Sequence, residues 1–396
     1  MLSSTLTPSA PMIQGVQSPD VVVDPAAFYA ATRRLRFPMR SSTAIAGLGS
    51  TDSTQLRQTG IVAGLEIRVK GSLVFGGTIA GTSMSYAWPF GLAKTIRLSA
   101  NGQSNLVSAR GLTVRALEFA TNPKLDDTGL AATFGTTAVT SGTLKLPCDD
   151  WGTSGVNSLN PGAAVAATGT YTVDLTFFVP VAADPVTLIG SVYAQSAATN
   201  LTLDIDWETQ ANLLTLGGAA TLAVNLSYQV TGVAFSIPNI GGKYVVPDLS
   251  SFHQIAEARA NGIGQGLNEP LLAGTGVGRR LLRLMFNAYS GTPAVPLAMT
   301  ETNFSQVGWA YGGNDVPESY PNGTQLRASN IRTVGVDLGG NWGLGLWDYA
   351  SQFALRDVVD EGATSDLRAQ IGLVSAPTNG FAQIVQETLF AAPVGA

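Results

Sequence analysis

The sequence predicts an all-β protein built from two tandem sandwiches. Three observations carry this. Segments in which apolar and polar residues alternate with a period of two recur along most of the chain, from Gly60 to Phe390. Turn signals separate them, among 45 glycines and 20 prolines in 396 residues. The pattern begins again after Pro238-Asn-Ile-Gly-Gly242. That stretch divides the chain into an arm with a basic helix over 1–50, a first β unit over 51–237 and a second over 238–396.

In chain order, the first residues are rich in Ser, Thr, Pro and Gln and read as an extended arm. Asp24-Pro25 is a helix start, with the acid as cap and proline at the first helical position. The spacing of Phe28, Ala31 and Leu35 then predicts a helix of about three turns. Its far end carries Arg33, Arg34 and Arg36, with Arg40 just beyond, the densest basic cluster of the chain. Two readings stand side by side. The arginines form a solvated face near the negative end of the helix dipole, or they meet an anionic lipid surface, where each contributes about 1 kcal/mol.

Strands follow. Gly60 to Leu73 sets Leu65, Ile67 and Val69 against Glu66, Arg68 and Lys70. Lys94 to Leu98 leads into Asn101-Gly102, a strong two-residue hairpin signal. Leu112 to Phe119 reads as a further strand. Ala120 to Gly169 is a long excursion that Leu144, Leu146 and Trp151 can anchor. Tyr171, Val173, Leu175 and Phe177 restore the alternation, which stops at Val179-Pro180. After the Asp184-Pro185 turn, Val186 to Ala194 suggests one or two helical turns. The chain returns as Leu201 to Trp207. Two long strands joined by such a crossover lie in different sheets or do not pair directly, as in a sandwich with Greek-key connections. Thr221 to Tyr228 and Val230 to Ile237 complete the first unit.

In the second unit, Lys243 to Val246 is a short strand. Pro247-Asp-Leu-Ser then predicts a helix over Leu249 to Ala260, ended by Asn261-Gly262. The remaining strand candidates are Arg280–Asn287, Asn303–Tyr311, Ile331–Leu338, Leu344–Tyr349, Ala369–Val374 and Ala382–Phe390. The last two flank the turn Pro377-Thr-Asn379-Gly380.

Composition narrows the function classes. Only 12% of residues are charged and the net charge is -5. A surface so poor in charge suits burial against copies of the same chain, or else a Thr/Ser/Asn/Gly coat. The mild acidity argues against a nucleic-acid binder. The single cysteine, Cys148, excludes an internal disulfide and a cysteine-ligated zinc site, and reads as a small buried residue. No apolar run approaches the roughly 20 residues that span a bilayer. Met1 to Gly15 lacks a basic start and an apolar core, so synthesis in a cytoplasm is expected.

No catalytic constellation emerges, and no cofactor or metal is expected. His253, the one histidine, has no second histidine to act with and reads as a packing or hydrogen-bonding residue. The pairs Asp149-Asp150, Asp204/Asp206 and Asp360-Glu361 would bind calcium only with further oxygens from a loop. Asp174 lies on a similar polar face. The glycine clusters at 274–280 and 339–345 have no lysine-serine ending and so are not phosphate loops. Trp309, Trp342 and Trp347 suit a core or an interface better than a sugar platform.

Three stretches carry a family resemblance. They are Gly60-Ile-Val-Ala-Gly-Leu-Glu-Ile-Arg-Val69, the strand-crossover-strand from Phe178 to Ile205, and Tyr244 to Gly262 running on to Arg279 to Gly291. In order and spacing the chain resembles the double jelly-roll major capsid proteins of tectiviruses, icosahedral double-stranded DNA phages with an internal membrane, in the adenovirus hexon-like lineage. It departs from them in the middle loop and over Ala294 to Gln325. The resemblance implies two eight-stranded jelly rolls with short helices at the N-terminus and between them. It implies homotrimers with a near-hexagonal footprint that tile a shell, neighbouring trimers, vertex (penton) and minor capsid proteins as partners, and a place in the virion. It also implies an N-terminal helix beside the membrane, which makes Phe28, Tyr29, Arg33, Arg34, Arg36 and Arg40 the candidate membrane-facing residues. Ala120 to Gly169 becomes a candidate tower on the outer face. The alternative is a carbohydrate- or receptor-binding β-sandwich spike of a phage, which requires a shallow aromatic and carboxylate site.

Overall fold

Strands form where the alternation is longest, because a half-buried pleated surface places one apolar face on a core. The computed structural model describes residues 12–13, 16–17, 20–85, 87–100, 103–121, 149–151, 159–195, 200–272, 278–291, 297–311, 315–334, 345–350, 359–360 and 367–391, and every structural statement concerns these.

The first sandwich has two sheets. One has the order β6-β3-β8-β1, where β1 is Arg34–Ala44, β3 Ile61–Gly77, β6 Gly169–Pro180 and β8 Ala220–Phe235. The other has the order β5-β4-β7-β2, where β2 is Thr51–Gln55, β4 Ala93–Ala100, β5 Gln103–Ala109 and β7 Leu201–Trp207. All these neighbours are antiparallel. The crossover after Pro180 does join strands of different sheets, and β4 and β5 pair as Ala100↔Gln103 across the hairpin signal. Ile67, Val69, Phe75, Tyr171 and Phe177 of one sheet meet Ile96, Leu98, Leu203 and Trp207 of the other in one core.

The second half has a core of its own. There β10 (Ser251–Asn261), β16 (Phe381–Ala391), β11 (Arg279–Ser290) and β14 (Gly345–Asp348) face a sheet containing β15 (Arg368–Leu373), β12 (Phe304–Tyr311) and β13 (Asp315–Tyr320). Between the halves, β9 (Lys243–Val246) pairs in parallel with Val21–Val23, bringing the start of the described chain back to the middle.

Six local readings differ in the structure, most of them because tertiary pairing or packing overrides the local signal. The first helix, α1, is Pro25–Ala31 only, with the Ala27 N–H donating to Asp24 Oδ1 at 3.0 Å. It ends because Thr32 and Arg33 turn to Ser236: Thr32 Oγ1 donates to the Ser236 carbonyl and the Arg33 N–H donates to Ser236 Oγ. From Arg34 the chain is the edge strand of β8, where Pro38 is tolerated because one side of the ladder is open. Leu112 to Phe119, expected as a strand, lies in helix α2, Gly111–Thr121. Leu112, Val114, Leu117 and Phe119 are all buried, and a helix apolar on several sides belongs inside a core. At Gly111 an added Cβ would lie 2.5 Å from the Phe90 carbonyl, so only glycine allows this entry.

The helix expected between the units over Leu249 to Ala260 is strand β10. It pairs with β16 from Ser251↔Ala391 to Asn261↔Phe381, and this long ladder outweighs the local cap signal. Val186 to Ala194 makes turns and the two-residue strand Val192–Tyr193, because the Asp184 carboxylate holds the N–H groups of Val186 and Thr187. The single turn α3 is Gln210–Leu213, and Ile331–Val334 closes helix α4, Gly323–Val334, in place of the expected strand. That helix is started by the Asn322 side chain, which accepts the Gln325 N–H at 2.9 Å. Thr221 to Ile237, read as two strands, runs unbroken as β8 to Phe235. Leu144, Leu146, Cys148, Trp342 and Glu361 lie outside the described residues.

The two sandwiches share a sheet. The β5 and β10 edges pair in parallel at Ile255↔Val107 and Ala256↔Ser108, so one ten-stranded sheet crosses the whole molecule. The first core follows it across, taking in Phe252, Ile255, Met285, Leu346 and Val385. Ile255 is fully buried at this junction. The Ile255→Ala variant is expected to lose about 2–5 kcal/mol of stability, read as a lower urea midpoint by tryptophan fluorescence, while an exposed control such as Thr221→Ala moves it little.

Candidate functional site

The basic cluster lies on a strand, not a helix. Arg34 and Arg36 alternate along β1 with Leu35 and Phe37, and a register shift between Pro38 and Arg40 breaks the alternation, so that Met39 enters the core and Arg40 lies opposite Val230. Arg33, Arg34 and Arg36 are exposed. Arg36 pairs with Glu66 at 3.0 Å. Arg40 lies 4.8 Å over the Tyr228 ring and its Nε donates to Thr43 Oγ1. Phe28 was expected to face lipid, but its ring is fully buried with Val21, Ile61, Leu188 and Val246. Phe28 is the one residue of this short helix that is buried, while Ala26, Tyr29, Ala30 and Ala31 stay exposed. Tyr29 remains exposed, and its hydroxyl donates to the Thr187 carbonyl.

His253 sits in a buried charge cluster. Its Nε2 lies 2.9 Å from Glu387 Oε1, which also accepts from Arg283 Nη1 at 2.8 Å, and Arg283 Nε lies 3.0 Å from Asp348. The cluster ties β10, β16, β11 and β14 together. Burial pushes the Glu387 carboxyl up, but the Arg283 charge and the His253 hydrogen bond outweigh it and hold the carboxyl at about 2. Gly190 of the crossover packs onto it so closely that a Cβ would come within 2.6 Å of the His253 Cβ. The His253 side chain is wholly buried, and its ring serves to join these strands.

A second buried cluster escaped the sequence reading. The Arg115 guanidinium, wholly inside, pairs with Asp149, with Glu118 at 2.7 Å and with the Thr176 carbonyl at 3.1 Å. It also lies 4.9 Å over the Phe90 ring. This pins α2 to β6 and to the far end of the excursion, where Trp151 is buried as expected. The only sequence signal was an arginine within an apolar run.

The remaining carboxylates serve strands. Asp174 takes both Arg68 Nε and Nη2, at 2.7 and 2.6 Å, and Asp206 pairs with Arg97 at 2.7 Å. Trp309 and Trp347 are buried, not displayed. Among the described residues no cluster of three or more His, Cys, Asp or Glu is arranged to hold a metal ion, and no helix is long and apolar enough to cross a membrane. What the arrangement offers is a rigid frame with interior ion pairs and a basic stripe on one edge.

Because the folded Glu387 value lies below the unfolded value of about 4.3, its contribution to stability is complete above that pH and is lost as pH falls towards 2. Glu387→Gln leaves Arg283 and His253 without their shared acceptor and is expected to cost about 3–5 kcal/mol at pH 7. Denaturant titrations of both proteins should show that difference shrinking as pH falls from 6 to 2.5.

No family model matches the chain, and no curated protein is similar to it in sequence. Solved structures match its fold. The STIV MCP aligns with a TM-score of 0.63 at 13% identity, covering 91% of this chain and 97% of that one. A structure of the Sulfolobus Turreted Icosahedral Virus aligns with a TM-score of 0.62 at 14% identity over 90% of this chain and 91% of that one. The Faustovirus major capsid protein gives 0.55 at 9% identity over 91% and 90%. The fold of the chain is the double jelly roll that these viral proteins share.

Proposed function

We propose that the chain is a major capsid protein, a structural subunit without enzymatic activity. The observation that carries this is the double jelly roll, aligned over nine-tenths of the chain with proteins described as viral major capsid proteins. The low surface charge supports it, since six of the few ionisable groups, Arg115, Asp149, Glu257, Arg283, His253 and Glu387, have buried side chains. In this reading the division near residue 238 separates the two jelly rolls of one subunit. Three subunits form a near-hexagonal capsomer, and capsomers tile an icosahedral shell with vertex and minor proteins. Obligate contacts of this kind bury more than about 2,000 Å². The subunit is made in the host cytoplasm and resides in the virion. The tectivirus-like assignment adds an internal membrane, met by the stripe of Arg33, Arg34, Arg36 and Arg40 with Tyr29.

Light scattering after gel filtration is expected to give three times the 41.0 kDa of one chain. A monomer at micromolar concentration overturns the capsomer. Replacing Arg33, Arg34 and Arg36 together by Gln is expected to remove about 3 kcal/mol of attraction to anionic vesicles while leaving the native mass unchanged. Vesicle flotation equal to wild type would restrict these arginines to a solvated edge.

A further inference from the structure

Where β5 and β10 separate beyond Ser108 and Ala256, a cavity of about 400 Å³ opens at the seam between the two sandwiches. Its charged lining is Lys94, Arg110, Arg259, Glu208 and Glu257. Three cations face two carboxylates, which leaves one positive charge in excess.

The carboxylates are already engaged. Glu257 accepts Arg110 Nε at 2.5 Å on one oxygen, and the Arg110 N–H and Thr113 Oγ1 on the other. Glu208 accepts the Thr209 N–H and Asn212 Nδ2. Lys94 and Arg259 are exposed to the cavity and make no hydrogen bond or ion pair with any described residue. Asp206 feels Lys94 only at longer range and is held by Arg97. The Arg259 guanidinium lies 3.8 Å over the Phe381 ring. Stacking fixes its plane and leaves its fork of N–H donors without a protein acceptor, the geometry that suits a planar or tetrahedral oxyanion. Partial burial and the nearby Arg110 charge push the Arg259 pKa down, as befits a cation lacking an anion.

We propose that this cavity binds a small oxyanion, a carboxylate or phosphate group, between Lys94 and Arg259. The anion would cancel the excess charge and link β4, which carries Lys94, to β10, which carries Arg259, beside the end of the β5–β10 ladder. It can come free from solution or as an acidic side chain of a second copy, and the test separates these sources.

The test uses the full chain and inorganic phosphate. Melting temperature is followed against phosphate at constant ionic strength held with chloride, for wild type, Arg259→Gln and Lys94→Gln. Both residues are exposed, so both variants should fold. A saturable rise in wild type, with the apparent Kd about tenfold weaker in each variant, supports the proposal. A native mass unaffected by phosphate then assigns a free anion. A wild-type mass that falls as phosphate rises, with Arg259→Gln already dissociated without it, assigns a carboxylate from a neighbouring copy. Identical melting and mass responses in all three proteins, or no response in any, overturn the site.

Discussion

A β-sandwich ends in edge strands whose backbone N–H and C=O groups must pair with something, and here two such edges pair with each other. The β5 edge of the first sandwich meets the β10 edge of the second in parallel at Val107↔Ile255. This contact joins the two edges over Val107–Ser108 and Ile255–Ala256, and beyond it the strands part. It also makes one core out of residues from both halves, so that Ile255 and Val385 pack beside Ile96 and Leu98. The halves are therefore joined both by a ladder and by shared core residues.

Charge is spent inside the molecule. Arg110 and Glu257 lie at the seam, Arg283 and Glu387 on adjacent strands of the shared sheet, and Arg115 and Asp149 under α2. Each pair joins segments remote in sequence, and each has its lone pairs or protons largely taken up by further partners. Such pairs favour one register over its one-residue slip, because a slipped strand would turn a charge towards hydrocarbon. With so few charged residues in the chain, using several inside leaves the outer surface more neutral still. The cavity beside the seam is the exception, since Lys94 and Arg259 keep their charge without a protein counter-ion.

The long strands were legible in the sequence because alternation with period two needs no knowledge of the partner. The Asp24 cap, the stop at Pro180 and the hairpin at 101–102 were legible for the same local reason. The misreadings have a common origin. Thr32 to Phe37 has acceptable helical spacing, but an open edge on β8 offered it a ladder. Leu249 to Ala260 carries a cap signal, but the partner strand β16 lies 130 residues away in the chain. Leu112 to Phe119 looks like a strand until the surrounding core on several sides makes a buried helix the better packing.

By itself, the sequence determined that this is an all-β chain with a repeated sandwich, low charge and no convergent catalytic groups, because each of these is a property of composition or local period. Only the tertiary structure decided which segments share a sheet, that the basic residues line a strand edge, that Phe28 is inward, and that His253, Arg115 and Glu387 balance charge in the interior. Those outcomes depend on contacts between residues remote in the chain, 34 positions apart for Arg115 and Asp149 and 134 for His253 and Glu387, and no local pattern encodes them.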